Sequence, residues 1–300
     1  MSVKLFREPE LKRPILLCGW SGIANVGLVA INTMRRLMRA EEFGRIEPYG
    51  YFDPTHVVIA NGLIEDLRFP ATRLFSRRRQ DRDIVFLVGE RQPEDTQKAY
   101  EMADEVLDVA EKLGCRRVYT SGASVTTIHH TAKPRVWAVP NSRRLIPEIR
   151  RYGNTILMSE LDSADGNGSI TGLNGLLLGV AQSRGIEAIC LLGEVPYYLQ
   201  GGPWPYPKAS ISVLEVLGSL LDIPLDLSEL QESAARVEAN IDRTLETLAG
   251  AEELPEQVRE EVDSLRHPQH VDLGPITETE KQEILDHLDE LFRGEVGHEP

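Results

Sequence analysis

The stretch LLCGWSGIANVGLVA, Leu16 to Ala30, sets Gly19, Gly22 and Gly27 between an apolar run and a helix-like pattern. Glycine turns that join a strand to a helix hold phosphate in many proteins, because free backbone N–H groups and the helix dipole face the anion. The spacing here is G-x-x-G-x-x-x-x-G. It matches neither G-x-G-x-x-G nor G-x-x-x-x-G-K-[ST], and no Lys or Arg lies between Gly19 and Val29. The expectation is a tight turn with close helix–sheet packing, leaving Gly22 and Asn25 as the residues that would meet an anion if one bound.

Other residue types suggest further chemistry. Glu90 in GER and Glu194 in GEV each follow an apolar run, and could share a cleft with Asp162 and Asp165. Paired carboxylates serve acid–base work or hold a cation or a basic group; the plainer reading is that they cap helices or pair with arginines. Ser121 and His130 complete the candidate ligand cleft. Neither Ser121 nor Ser124 sits in a G-x-S-x-G elbow, so a serine hydrolase is not expected. The adjacent pair His129-His130 lacks an H-E-x-x-H pattern or a Cys/His cluster. Cys18, Cys115 and Cys190 form no CxxC pair and lie in or beside apolar runs, which reads as buried free thiols. No catalytic residue, metal or cofactor is assigned. The loop VPYYLQGGPWPYPKAS gathers Tyr197, Tyr198, Trp204 and Tyr206 among four prolines, a stiff aromatic set suited to a partner surface or to covering a sheet edge.

These residues need a frame. Apolar runs at Ile15 to Cys18, Ile84 to Val88, Arg117 to Ser121, Val136 to Val139, Thr155 to Met158 and Ala188 to Leu192 read as strands covered on both faces. Helical patterns lie between them at Val26 to Met38, Thr96 to Leu113, Ser142 to Tyr152, Leu173 to Ser183 and Ala209 to Leu221. The alternation predicts a three-layer α/β/α sandwich on a mainly parallel sheet. Asn61-Gly62 in HVVIANGLIEDL predicts a hairpin that extends the sheet or forms a flap near its edge. Gly172, Gly175 and Gly179, one turn apart, predict close packing of their helix on the sheet or on another subunit.

The pattern changes at Pro224, which divides the chain into an α/β core over 1–224 and an acidic helical extension over 225–300. Leu227, Leu230, Ala234, Val237, Ile241, Leu245 and Leu248 form one helical stripe, and further helices are predicted at Glu256 to Leu265 and Thr277 to Phe292. The extension carries 21 acidic and 6 basic residues, against 26 and 27 in the rest, so it holds the whole net charge of −14. Nucleic acid is not an expected partner, because phosphate backbones reward positive fields. The one basic run, SRRRQDRD from Ser76 to Asp83, reads as a solvated loop. No apolar run approaches the roughly 20 residues of a membrane helix, and the N-terminus lacks the features of a secretory signal, so the expected location is the cytoplasm.

The segments CGWSGIANVGLVA, VGERQP, GSITGLNGLLLGVAQSRGI, LLGEVPYY and YPKASISVLEVLGSLLDIPLDLSEL occur in the order seen in the proteasome assembly chaperone 2 family, and the chain resembles that family from about Pro14 to Leu230. The resemblance implies a fold like that of purine nucleoside phosphorylases, assembly as a homo-oligomer with a trimer favoured, and a chaperone or partner role toward the proteasome without catalysis. Some archaeal members dock through a C-terminal hydrophobic-Tyr-X tail. This sequence ends His298-Glu299-Pro300, so docking by such a tail is not expected. The leading expectation is a non-enzymatic protein-binding chaperone or adaptor. The alternative is an enzyme or small-ligand binder taking a nucleoside or phosphate-like ligand in the phosphorylase-like cleft.

Overall fold

The computed structural model describes residues 3–157, 168–202 and 204–250. Asp162, Asp165 and the helices expected at 256–265 and 277–292 lie outside the described residues.

Nine strands form one sheet: β1 (Val3–Leu5), β2 (Ile15–Trp20), β3 (Glu41–Ile46), β6 (Thr72–Arg77), β7 (Ile84–Gly89), β8 (Arg117–Thr126), β9 (Val136–Pro140), β10 (Thr155–Leu157) and β11 (Glu187–Pro196), in the order β1-β3-β6-β7-β2-β8-β11-β9-β10. Its centre, β7-β2-β8-β11, is parallel, whereas β1, β3 and β6 join on one side by antiparallel pairing. Side-chain alternation along each central strand feeds two separate cores. Ile15 and Leu17 of β2, with Ile84 and Phe86 of β7, meet α1 (Val26–Leu37), α5 (Pro207–Leu221) and α6 (Ser228–Gly250). Leu16, Cys18 and Trp20, with Val85 and Leu87, meet α2 (Thr96–Lys112) and α4 (Gly172–Ser183) on the other face. The result is the expected three-layer sandwich.

All six strands expected from apolar runs are present. The helix expected from Ser142 to Tyr152 is shorter: a 3-10 turn, Arg143–Leu145, leads into α3 (Ile146–Ile149), with Pro147 in its first turn. The Asn61-Gly62 turn forms with both residues at positive φ, joining β4 (His56–Ala60) to β5 (Leu63–Arg68). This pair does not extend the sheet; it stands as a two-stranded ladder of its own. Helix α6 packs on α5, and Leu227, Ala234 and Ile241 are buried in the same core as β2 and α1.

Two of the three opening glycines set the spacing between α1 and the sheet. A Cβ on Gly27 would lie 2.0 Å from the Ser121 carbonyl oxygen of β8, and one on Gly19 would lie 2.6 Å from the Gly27 carbonyl oxygen and 2.7 Å from Ile31 Cβ. Helix and sheet backbones touch here, which no larger residue permits. On α4, Gly175 is pressed against the Ile170 carbonyl, whereas Gly179 has no neighbour in the described chain and so does not pack on its sheet. Gly27→Ala should lower stability by about 3 kcal/mol or more in urea unfolding, the upper end of overpacking losses, because a sheet carbonyl cannot move aside. Gly22→Ala should stay within about 0.5 kcal/mol, since its Cβ would meet only the Gln92 amide at 3.4 Å. Equal losses at the two positions would contradict this division of roles.

Candidate functional site

In open α/β sheets, ligand groups gather beyond the carboxyl ends of the parallel strands. Here that region is built from the loop after β2. Gly22 leads into a 3-10 turn, Ile23–Asn25, in which Ala24 and Asn25 both hold positive φ. Asparagine tolerates this region better than most residues, and Asn25 Oδ1 accepts a 2.8 Å bond from Ser21 Oγ. Gln92, just past β7, donates from Nε2 to the Ser21 carbonyl at 2.8 Å and accepts at Oε1 from Leu173 N at 2.8 Å. One of the free N–H groups at the start of α4, which could have met an anion, is thus held by Gln92. Deeper in, Asn174 Nδ2 donates to the Ser121 carbonyl at 3.3 Å, while Ser121 Oγ and Asn174 Oδ1 are buried without a hydrogen-bond partner among the described residues. Gly22, Asn25 and Ser121 therefore do lie together, joined by Gln92 and Asn174. Both stand in segments that carry the family resemblance, VGERQP and GSITGLNGLLLGVAQSRGI, but neither is among the cleft candidates of the sequence, because no local spacing marks an ordinary amide as a site group.

The other cleft candidates lie elsewhere. Glu194 is fully buried between β11 and β9, where it accepts from Arg135 N at 2.8 Å, Arg135 Nη2 at 3.1 Å and Trp137 Nε1 at 3.3 Å. Glu90 is exposed and accepts from Ala71 N at 3.0 Å, in a cleft of about 520 Å³ that Arg68, Phe69, Arg73 and Arg91 also line. The expected shared carboxylate cleft is corrected: β2 and β8 stand between β7 and β11, which puts the two glutamates roughly 14 Å apart at ordinary strand spacing.

His130 also faces inward. Its backbone N–H donates to Tyr198 Oη at 2.8 Å, so the phenol proton is directed to His130 Nδ1 at 2.7 Å. Nε2 then carries the ring proton and donates to Asp242 Oδ1 of α6 at 2.8 Å. The His130 carbonyl accepts from Tyr206 Oη at 3.0 Å and from Lys208 Nζ at 2.8 Å, and Lys208 reaches Glu238 of α6 at 2.6 Å. Burial pushes the Tyr198 and Tyr206 phenols well above their ordinary range, so both stay protonated donors. Tyr206 is therefore not a partner surface, and Tyr198 serves this cluster. Trp204 remains exposed at the surface and Tyr197 is half-buried against Tyr198. The buried network fastens α6 to the loop after β8.

The model of the PAC2 family matches residues 16–245. The chain belongs to the PAC2 family. That match crosses residue 224 and takes in most of α6. Among curated proteins, an uncharacterized Methanocaldococcus jannaschii protein is 29% identical over 237 residues, 79% of this chain and 84% of its own. Among solved structures, the archaeal proteasome activator PbaB of Pyrococcus furiosus is 25% identical with a TM-score of 0.69, covering 81% of this chain and 97% of that one. A proteasome-assembly chaperone homologue of Mycobacterium tuberculosis is 26% identical with a TM-score of 0.63, covering 81% and 99%.

Two outcomes follow from the site. Tyr198→Phe should cost about 1–3 kcal/mol in urea unfolding, because it strands the buried His130 N–H and Nδ1; Tyr100→Phe on the exposed side of α2 should cost under about 0.5 kcal/mol. Burial pushes Cys115 and Cys190 up to about 12, and Cys18 well above its ordinary value. At pH 8 a thiol reagent should therefore label none of the three in the native protein and all three in denaturant. The native state holds these protons longer than the unfolded chain, so their contribution is complete below about pH 8.5 and falls as pH rises toward 12. Rapid labelling of the native protein, or stability that rises over that window, would contradict the burial.

Proposed function

We propose that this protein is a non-enzymatic chaperone or adaptor of the cytoplasm that binds the proteasome or one of its assembly intermediates, and that it works as a homo-oligomer, in the first instance a trimer. The observation that carries the reading is the likeness to the archaeal activator over nearly the whole of that chain, at 25% identity. The strand-end chemistry supports it. Gln92 and Asn25 are engaged in loop bonds, Glu194 is neutralised by Arg135, and His130 is enclosed by Tyr198 and Asp242. Among the described residues no helix is long and apolar enough to cross a membrane.

The test is binding of the purified, full-length protein to purified core particles of its own organism, followed by co-sedimentation. Co-migration at micromolar concentration is the expected result; its absence with both mature particles and half-assembled intermediates would reject the proteasome as partner. A thermal-shift series with nucleosides, nucleotides and inorganic phosphate addresses the alternative ligand reading. The melting temperature should move by less than about 2 °C with each, and a larger rise would favour a small-molecule site at Gly22, Asn25 and Ser121.

A further inference from the structure

A row of cations crosses the edge of the sheet. The register sets Lys4 of β1 opposite Arg45 of β3, and Arg45 opposite Arg73 of β6. Residues directly opposite one another share a face, so all three project from the same side of the sheet, and all three are exposed. Their neighbours along the strands, Val3, Leu5, Ile46 and Leu74, pack into the core on the other side. Like charges placed directly opposite are destabilising. Arg45 has a carboxylate partner, Glu47 at 3.0 Å, whereas Lys4 and Arg73 make no ion pair among the described residues.

The groups around the row add to its charge. Phe75 follows Arg73 by two residues on β6 and so shares its face, and Arg35 of α1 lies over the Phe75 ring at 4.5 Å. Burial, and then repulsion from Arg36 and Arg73, hold Arg35 below its ordinary value, against the pull of Glu42. Beyond Arg73 the row runs into the cleft of about 520 Å³ that Arg91 also lines. Arg91 makes no ion pair among the described residues, and Glu90 in that cleft is bonded to Ala71 N. A surface of this kind favours whatever anion lies over it.

The chain carries such an anion. Residues 251–300 hold 15 acidic and 4 basic residues, a net of −11. Helix α6 delivers them to the right end of the sheet. Its Glu238 and Asp242 bond to Lys208 and to His130, which lies just past the carboxyl end of β8. Thr72, next to Arg73, pairs with Gly89 at the carboxyl end of β7, so row and cleft stand at that same end. Fifty residues reach about 165 Å when extended, so length sets no limit. A tethered segment also meets its site at an effective concentration on the order of millimolar.

We propose that the acidic segment 251–300 docks on its own chain, across the Lys4–Arg45–Arg73 row and into the cleft beside Arg91. Its carboxylates supply the counter-charge that the row lacks, and an acidic partner reaches this face only by displacing the segment. The contact goes beyond the proteasome reading and does not depend on it.

The test treats the full-length protein with a carbodiimide, which joins lysine amines to carboxylates in direct contact, and maps the linked peptides by mass spectrometry. Lys4 is one reporter; Arg45→Lys and Arg73→Lys place two more in the row without changing its charge. Each should link to carboxylates within 251–300, and the yield should fall about tenfold in 1 M salt, where the screening length is about 3 Å. In a mixture of isotopically heavy and light protein, the links should join peptides of the same label. Lys4→Glu with Arg73→Glu and Arg91→Glu, checked for folding by circular dichroism, should free the segment. Chymotrypsin should then cut after Leu265 and Phe292 at least about fivefold faster than in the wild type, as the undocked population rises. The same number of reversals at Arg116, Arg143 and Arg144, away from the row, should leave the cleavage rate unchanged. Links between heavy and light chains would give the face to a neighbour's segment and overturn the proposal. So would an absence of links from all three lysines to 251–300, or equal cleavage in the two reversed variants.

Discussion

The contact between the backbone of α1 and the backbone of β8 governs much of what surrounds it. With Gly27 against the Ser121 carbonyl and Gly19 beneath Gly27, helix and sheet approach more closely than any side chain would allow. A helix so close to the sheet leaves the chain little length to rise from β2, and the loop closes through Ala24 and Asn25 in left-handed conformations. The same approach lets α5 fasten to the start of α1: Tyr206 N donates to the Ala24 carbonyl at 2.9 Å and Ser210 Oγ to the Val26 carbonyl at 3.0 Å. A loop pinned this way is rigid and small. Its Ser21 and Asn25 N–H groups bond to the Gly89 and Gly22 carbonyls.

The buried polar groups follow a common logic. Removing a carboxylate from water is unfavourable unless donors replace the solvent. Glu194 receives them from Arg135 and Trp137 across the β9–β11 ladder. His130 sits at the centre of a second set, in which groups from the β8 loop, the aromatic loop, α5 and α6 satisfy one another. Each set joins elements distant in sequence. They act as fasteners: Glu194 holds a sheet edge, and the His130 cluster holds the first helix of the acidic extension against the body.

What could be read from sequence divides along physical lines. Strands covered on both faces are continuous apolar runs, so β2, β7, β8, β9, β10 and β11 were legible from composition alone. β1, β3 and β6 were not. EEFGRI and TRLFSR are half exposed and carry charges at the positions that face water, so no apolar run marks them; Gly44 and the register shift in β3 further blur the alternation. The packing role expected of the loop glycines holds at Gly19 and Gly27 and not at Gly22. The candidate cleft was misread in part, because GER and GEV look alike in sequence while sheet order separates them by two strands. His130 and Asp242 are 112 residues apart and share no local pattern. Partners of that kind are set by tertiary packing, which a linear reading does not reach.

This distribution of polar groups bears on where function can reside. A catalytic site keeps unsatisfied groups facing a cavity, and holds them in place with satisfied groups behind. Here the histidine and the buried carboxylate are engaged inside the body; Ser121 Oγ and Asn174 Oδ1 stay without a partner among the described residues beside the glycine loop, and exposed apolar area lies on the hairpin and at Trp204. Surfaces of that composition are suited to other macromolecules: apolar area supplies affinity, and flanking charge sets orientation and excludes wrong partners. In this protein the buried polar groups carry the fastening, while exposed apolar area gathers on the hairpin and at Trp204.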